Sequence, residues 1–171
     1  DYLTGHQVRN NVIRKLALGC SGNTLVLFQY VEKHGIPLYE NIKTKAAEGR
    51  KVFFVYGGTE TVDRENIRSI VENEKDSIIV ASYGTFSTGI NIRNLHNVIF
   101  SSPTKSRIRN LQSIGRSLRQ SESKTDATLF DIADDMAIGS YKNFTLNHFA
   151  ERIEIYNEEQ FDYEIHNINL K

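Results

Sequence analysis

The residues of this 171-residue chain best suited to chemistry fall in one run, Gln112-Ser113-Ile114-Gly115-Arg116-Ser117-Leu118-Arg119. On a helix Gln112, Arg116 and Arg119 stand at i, i+4 and i+7 and share one face. Ile108, Leu111, Gly115 and Leu118 share an opposed apolar face, where Gly115 permits close approach of a neighbouring layer. Two guanidinium groups a turn apart on a helix pinned by its apolar face make a rigid phosphate clamp. Arginine suits that task because its planar fork donates in pairs and stays charged. Residues 105–124 hold six basic groups (Lys105, Arg107, Arg109, Arg116, Arg119 and Lys124) against a single acid, Glu122. Two readings stay open for this run: a surface helix with solvated arginines, or a phosphate-binding helix.

Two further segments have anion-binding character. In 78–92 (IIVASYGTFSTGINI) a buried apolar run leads into what reads as a loop, with hydroxyls at Ser82, Thr85, Ser87 and Thr88, glycines at 84 and 89, and an amide at Asn91. Small residues let backbone N–H groups approach an anion, and hydroxyls can donate to phosphate or sugar oxygens. Gly57-Gly58-Thr59 follows the apolar run KVFFVY and precedes an amphipathic stretch. Backbone amides at a helix N-terminus form an anion site; the alternative is a tight turn that needs only a positive φ.

These segments require a frame that brings them together. Apolar, β-branched runs at 24–30, 51–56, 77–82, 97–101 and 127–132 read as strands covered on both faces, since each is nearly continuous rather than alternating. Helical stretches are expected near 5–18, 31–48, 61–74, 105–119 and 140–159. Asp63 or Thr61 is a candidate cap for the third, Gly49 a stop for the second and Ser140 a cap for the last. Residues 163–170 alternate polar and apolar types, as an edge strand or docking tail would. Alternating β and α segments predict a parallel sheet with right-handed crossovers. In such a sheet ligands sit beyond the carboxyl ends of the strands, which directs attention to 56–59, 82–91 and 101–104.

Composition narrows the class. With 39% hydrophobic and 25% charged residues the chain is globular rather than disordered. No apolar run approaches the roughly 20 residues of a membrane helix. The single cysteine, Cys20, excludes an intramolecular disulfide framework and a multi-cysteine zinc site, and suggests a cytoplasmic setting. The opening Asp1-Tyr2-Leu3-Thr4 has neither an initiator Met nor a signal-peptide pattern and reads as an internal edge of a longer protein. Net charge is zero, yet residues 1–125 carry 18 Lys/Arg against 11 Asp/Glu while 126–171 carry 3 against 10. A polyanion is expected to meet the earlier part and to be repelled by the tail.

In order and content, TLVLFQY, VYGGT, IIVASYGTFSTGINI and QSIGRSLR resemble motifs IV, IVa, V and VI of the superfamily 2 helicases, across about residues 22–132. The specific signal is the pair V and VI, separated by a strand ending Ser101-Ser102-Pro103. The resemblance implies an α/β fold: one RecA-like domain over 1–171, with a parallel sheet flanked by helices on both faces, a core at about 20–135, and a C-terminal helix and tail at 136–171. Such a domain works beside an N-terminal RecA-like domain of the same chain, which brings the P-loop and the acidic magnesium motif. Here there is no GxxxxGK[ST]. Asp134-Asp135 follows the last strand without a P-loop and reads as a surface acidic pair, so this chain alone is expected to be inactive and to hold no metal.

By resemblance, Arg116 would contact the γ-phosphate of ATP and Arg119 would be the arginine finger. Gln112 would link that site to the helix, with Gly89 and Asn91 closing motif V. Asn91 stands where Asp is commoner and Ser113 where many relatives carry Arg, which alters those contacts. Gly57, Gly58 and Thr59, with Ser82, Gly84 and Thr85, would hold the phosphate backbone of one strand. Gln29 and Tyr30 would lie near the cleft or end a buried strand. Implied partners are ATP with Mg and DNA, single-stranded or branched, extending to RNA–DNA hybrids. Implied activities are fork regression, junction migration, R-loop unwinding and annealing, with no membrane role. The competing classes are a RecA-like binding module without catalysis, against which both arginines argue, and an unrelated doubly wound enzyme such as a nucleotide-sugar transferase. The five histidines, His6, His34, His96, His148 and His166, are scattered and read as surface or structural. The helix near 140–159 would pack through Leu146, Phe149, Ile153 and Tyr156, with Glu151, Glu154, Glu158 and Glu159 outward.

Overall fold

Five parallel strands in the order β2-β3-β1-β4-β5 form the centre of the computed structural model, which describes residues 2–89, 92–102, 127–136 and 144–170. They are β1 (Thr24–Phe28), β2 (Val52–Val55), β3 (Ile78–Ser82), β4 (Asn97–Phe100) and β5 (Thr128–Asp131). All five lie within the runs expected from sequence, shortened by a residue or two at their ends. The three inner strands β3, β1 and β4 are buried at every position, as both-face coverage of a parallel sheet requires.

The helices are α1 (Tyr2–Gly5), α2 (Gln7–Gly19), α3 (Ile36–Lys45), α4 (Thr61–Asn73), α5 (Tyr83–Gly89) and α6 (Phe144–Glu158), with a π-helical turn at Val31–Gly35. The alternation of side chains along each strand divides the core in two. Val26, Phe28, Ile78, Val80 and Ile99 meet Ile13 and Ala17 of α2 and Leu38 and Ile42 of α3. Leu25, Leu27, Ile79, Ala81 and Val98 face the other way, toward Val71 of α4 and Ile155 and Tyr156 of α6. The sheet is therefore clothed on both faces, as expected for the RecA-like class.

Several boundaries differ from the sequence expectation. The first helix is broken at His6, whose ring Nδ1 accepts the Arg9 N–H and so caps α2. The second begins as a π turn in which the Gly35 N–H reaches back to the Tyr30 carbonyl. A Cβ at Gly35 would lie 2.4 Å from the Phe28 ring, so only glycine lets this turn close on the end of β1. That helix stops at Lys45, before Gly49, because Ala46 is already extended; Gly49 serves the following turn with φ +83. The cap of α4 is Glu60, without a side-chain bond. Thr61 and Asp63 instead occupy its first turn, where Asp63 meets the positive end of the helix dipole. Ser140 and the stretch 105–119 lie outside the described residues. Residues 163–170 pair with no strand among the described residues.

On α6 Tyr156 is buried and Ile153 packs partly buried against the core, as expected, but His148, Arg152 and Ile155 are the other buried residues in place of Leu146 and Phe149. The reason is Asp131 at the end of β5. It accepts from Arg152 Nε (2.6 Å) and Nη2 (3.0 Å) and from the Tyr156 hydroxyl (2.6 Å), and so turns a polar seam inward. Burial, with the Asp131 charge second, pushes the Tyr156 phenol far up, which keeps it a donor.

The amino ends of the strands are fixed by one fully buried amide. Asn23 donates to the carbonyls of Val71 (3.1 Å), Glu74 (2.9 Å) and Asn94 (2.9 Å), and accepts from the amide (2.9 Å) and hydroxyl (2.8 Å) of Ser77. It thereby joins β1, β3, the end of α4 and the approach to β4. Replacing it strands buried backbone groups, so Asn23→Ala is expected to cost on the order of 3 kcal/mol, read as the loss in urea unfolding free energy.

Candidate functional site

The register brings the chemistry-bearing segments to one edge of the sheet. Val55 pairs with Ala81, Phe28 with Ser82, Leu27 with Phe100 and Phe100 with Asp131. The residues that follow these strands, 56–59, 82–85, 29–30, 101–102 and 132–134, are therefore side by side, each strand about 4.8 Å from the next. This is the edge at which open parallel sheets bind ligands.

At the β2 corner, Gly57-Gly58-Thr59 forms a tight exposed turn. The Thr59 N–H donates to the Tyr56 carbonyl (3.0 Å) and the Tyr56 N–H to Thr59 Oγ1 (3.1 Å). Neither glycine has a positive φ, so the turn does not demand glycine for that reason. A Cβ at Gly58 would lie 2.6 Å from the ring of exposed Tyr56, which would have to swing aside, whereas Gly57 faces open space. The expected anion site at a helix N-terminus is corrected in part: α4 starts at Thr61, and Glu60 intervenes as its cap. Arg64, which sequence reasoning missed, holds the turn from below. Its Nε donates to the Thr59 carbonyl (2.8 Å) and its Nη2 to that of Gly57 (2.9 Å). The signal available was an arginine one turn into the helix after a glycine pair.

At the β3 corner, the expected loop 82–91 is in its first part a helix, since α5 begins directly at Tyr83. Ser82 and Thr85 are buried, and their hydroxyls bond each other at 2.7 Å; the Thr85 N–H also points to Ser82 Oγ at 3.4 Å. These hydroxyls hold the strand-to-helix corner. Gly84 is exposed and faces open space, and Gly89 ends α5. Asn91, Gln112, Arg116 and Arg119 lie outside the described residues. At the end of β1, Tyr30 is exposed, and Gln29 Oε1 is buried without a hydrogen-bond partner among the described residues.

The β4 corner carries a polar cluster that the sequence did not signal. Asp134, expected on the surface, is buried and paired with buried Arg9 through Nε (2.6 Å) and Nη2 (2.9 Å). Arg9 Nη2 also donates to the Ser101 carbonyl (2.7 Å). Fully buried His34 contacts Ser102 Oγ through Nδ1 (3.1 Å) and Asn10 Oδ1 through Nε2 (3.1 Å), while the Asn10 amide donates to the Thr4 carbonyl. Burial, with the Arg9 charge adding to it, lowers the His34 pKa to about 4. The imidazole is thus neutral, with Nε2–H donating to Asn10 and Nδ1 accepting from Ser102. His34 and His96 are structural as expected; His148 is buried, and His166 is exposed beside Glu164.

Among the described residues no group of three or more His, Cys, Asp or Glu is placed to hold a metal ion. No helix among them is long and apolar enough to cross a membrane. Residues 8–121 match the family model of the helicase conserved C-terminal domain. The chain is 39% identical over 181 residues to the ATP-dependent DNA helicase uvsW of Enterobacteria phage T4, covering 98% of this chain and 35% of that protein. It superposes on the crystal structure of T4 UvsW with a TM-score of 0.82 and 38% identity, covering 99% of this chain and 36% of that one. The C-terminal domain of the DEAD-box protein Dbp5 matches with a TM-score of 0.65 at 16% identity, over 91% and 82% of the two chains, a likeness of fold alone. The chain thus spans about a third of the length of the phage T4 helicase.

Because His34 has a pKa lowered in the folded state, the unfolded chain binds its proton first. Its neutral form stabilises the fold above pH 6.5, and that stability is lost as pH falls from about 6.5 to about 4. The full loss is on the order of 3 kcal/mol. Urea unfolding at pH 7 and pH 4.5 should show it, and in His34→Gln the dependence over this window should shrink.

Proposed function

The chain belongs to the helicase conserved C-terminal domain family, and from that premise we propose that it is the second RecA-like motor domain of an ATP-dependent DNA helicase. The observation that carries the reading is the likeness, over 98% of this chain, to part of the phage T4 helicase at 39% identity. The common sheet edge of the Gly57–Thr59 and Ser82–Thr85 corners supports it.

The engine is a two-domain cleft. ATP sits between this domain and an N-terminal RecA-like domain, which supplies the P-loop missing from this sequence. Arg116 engages the γ-phosphate and Arg119 stabilises the charge that develops on the transferring phosphoryl group. Gln112, Gly89 and Asn91 complete that side of the cleft. The described residues do not fit a magnesium site, since Asp134 is committed to Arg9, and the metal ligands are assigned to the other domain. On this reading the chain by itself would not turn over ATP, because the P-loop is assigned to the other domain.

DNA lies along the carboxyl edge, its backbone held at Gly57, Gly58 and Thr59 and at Gly84, while Ser82 and Thr85, expected as direct contacts, are buried and shape that second corner through their mutual hydrogen bond. The open space over Gly57 and Gly84 suits a phosphodiester approaching main-chain groups. Contacts of this kind fix position without reading sequence and weaken with salt. Hydrolysis releases the cleft, and the grips of the two domains on the strand shift relative to each other. The relative is by name an ATP-dependent DNA helicase; we extend that reading to branched DNA and RNA–DNA hybrids as substrates, in fork regression, junction migration, R-loop unwinding and annealing, in the cytoplasm.

The test is DNA-stimulated ATP turnover by the full-length protein. Arg119→Ala is expected to slow it by about 10²-fold or more with ATP and DNA binding kept. Turnover near wild type would favour a binding module without catalysis. A second variant, Arg64→Ala, frees the Gly57–Thr59 turn and is expected to weaken single-stranded DNA binding by roughly three- to tenfold, measured by fluorescence anisotropy.

A further inference from the structure

Phe28 of β1, Phe54 of β2, Tyr39 of α3 and Tyr56 form one connected row of rings. Phe28 and Phe54 stack with centroids 5.5 Å apart and planes 6° from parallel. Tyr39 lies 5.2 Å from Phe54, and Tyr56 lies 5.6 Å from it on the carboxyl side. Phe28 is fully buried, Phe54 and Tyr39 are half-buried, and Tyr56 is 36% exposed, so the row runs from the core to the surface. Tyr39 is already covered by Lys43, whose ammonium lies 5.2 Å from the ring centroid. The exposed end of the row is therefore Tyr56, the residue directly before Gly57 and Gly58.

The Tyr56 ring is also held in place. Its main-chain N–H and carbonyl both bond Thr59, and its ring lies against Gly58, where a Cβ would come within 2.6 Å. Gly58 has no positive φ, so the backbone gives no reason for glycine there, and the room it leaves is taken by the ring. Single exposed aromatics are ordinary on a protein surface. A ring backed by Phe54 and seated on a glycine is different, because its freedom is lost before a ligand arrives. A flat ligand can then stack on it at little further cost in ordering.

Resting on the motor-domain reading above, we propose that Tyr56 stacks on a base of the single strand whose phosphates lie at Gly57 and Gly58. Every base has a π face, so the contact adds affinity without choosing a sequence. It differs in kind from the grip beside it, which depends on phosphate charge and weakens with salt. One stretch of the strand is then held twice, by its phosphates at the glycines and by a base on the ring.

The test is fluorescence anisotropy with the full-length protein and two labelled single strands of equal length, a thymidine oligonucleotide and a strand that lacks every base. Tyr56→Leu is expected to weaken binding of the thymidine strand by about fivefold or more and to leave the abasic strand within about twofold. Tyr56→Phe keeps the ring and should match wild type on both strands. The slope of log affinity against log salt should be the same in wild type and Tyr56→Leu, since no phosphate contact is lost. Equal weakening on both strands would mean that the residue serves the turn and its phosphate grip. Unchanged binding of both would mean that the ring meets no base, and a loss in Tyr56→Phe as large as in Tyr56→Leu would assign the effect to the hydroxyl. Each of these three results overturns the proposal and leaves the motor-domain reading standing. A wild-type protein that binds neither strand removes both.

Discussion

Arg9 and Asp134 are 125 residues apart in sequence and meet in a two-pronged, buried ion pair. Neither charge could stay in that place alone, since removing one partner strands the other at a cost of several kcal/mol. The pair therefore dictates where the amino end of α2 sits relative to the chain beyond β5, and through the Ser101 carbonyl it fixes both to the end of β4. With α2 so placed, Asn10 comes under His34 and the π turn closes. Gly35 can then rest on Phe28 at the end of β1.

The two ends of the sheet are built for different tasks. At the amino ends Asn23 and Arg50 act as staples. Arg50 donates to the carbonyls of Leu18, Cys20 and Asp76, so that the end of α2 and the α4–β3 connection converge on one guanidinium. At the carboxyl ends, side chains shape corners at which Gly57 and Gly84 face open space: the Gly57–Thr59 turn held by Arg64, and the Ser82–Thr85 corner held by its own hydroxyls. A parallel sheet makes this separation unavoidable, because every strand begins at one edge and ends at the other. The hydroxyls of Ser82 and Thr85, which read as ligands in the sequence, instead bond each other and set the corner.

Residue pattern carried some features and missed others for identifiable reasons. Strands such as 78–82 were plain, because both-face burial leaves a continuous apolar run. The seam of α6 was misjudged because Arg152 and His148 are buried where an apolar stripe was expected; Asp131, a residue of another element, makes that burial tolerable. Likewise Asp134 reads as a surface acid until Arg9 is brought to it. The early part of the 82–91 stretch reads as loop from its Ser, Thr and Gly content, yet it is wound into α5 with Tyr83 buried against Phe100 and Thr85 buried on Ser82.

The sequence by itself determined the class of fold, the five strands, the family, and the small-residue corners at Gly57–Thr59 and Ser82–Thr85. Each of these depends on local composition or on the period of apolar residues, and so is written in consecutive positions. Only the tertiary structure decided the strand order, the pairing of Arg9 with Asp134, the neutral state of His34, the role of Arg64 and the row of rings that ends at Tyr56. Those are set by contacts between residues far apart in the chain. The free energy of a charged or polar group depends on the partner that reaches it after folding, and sequence pattern does not name that partner.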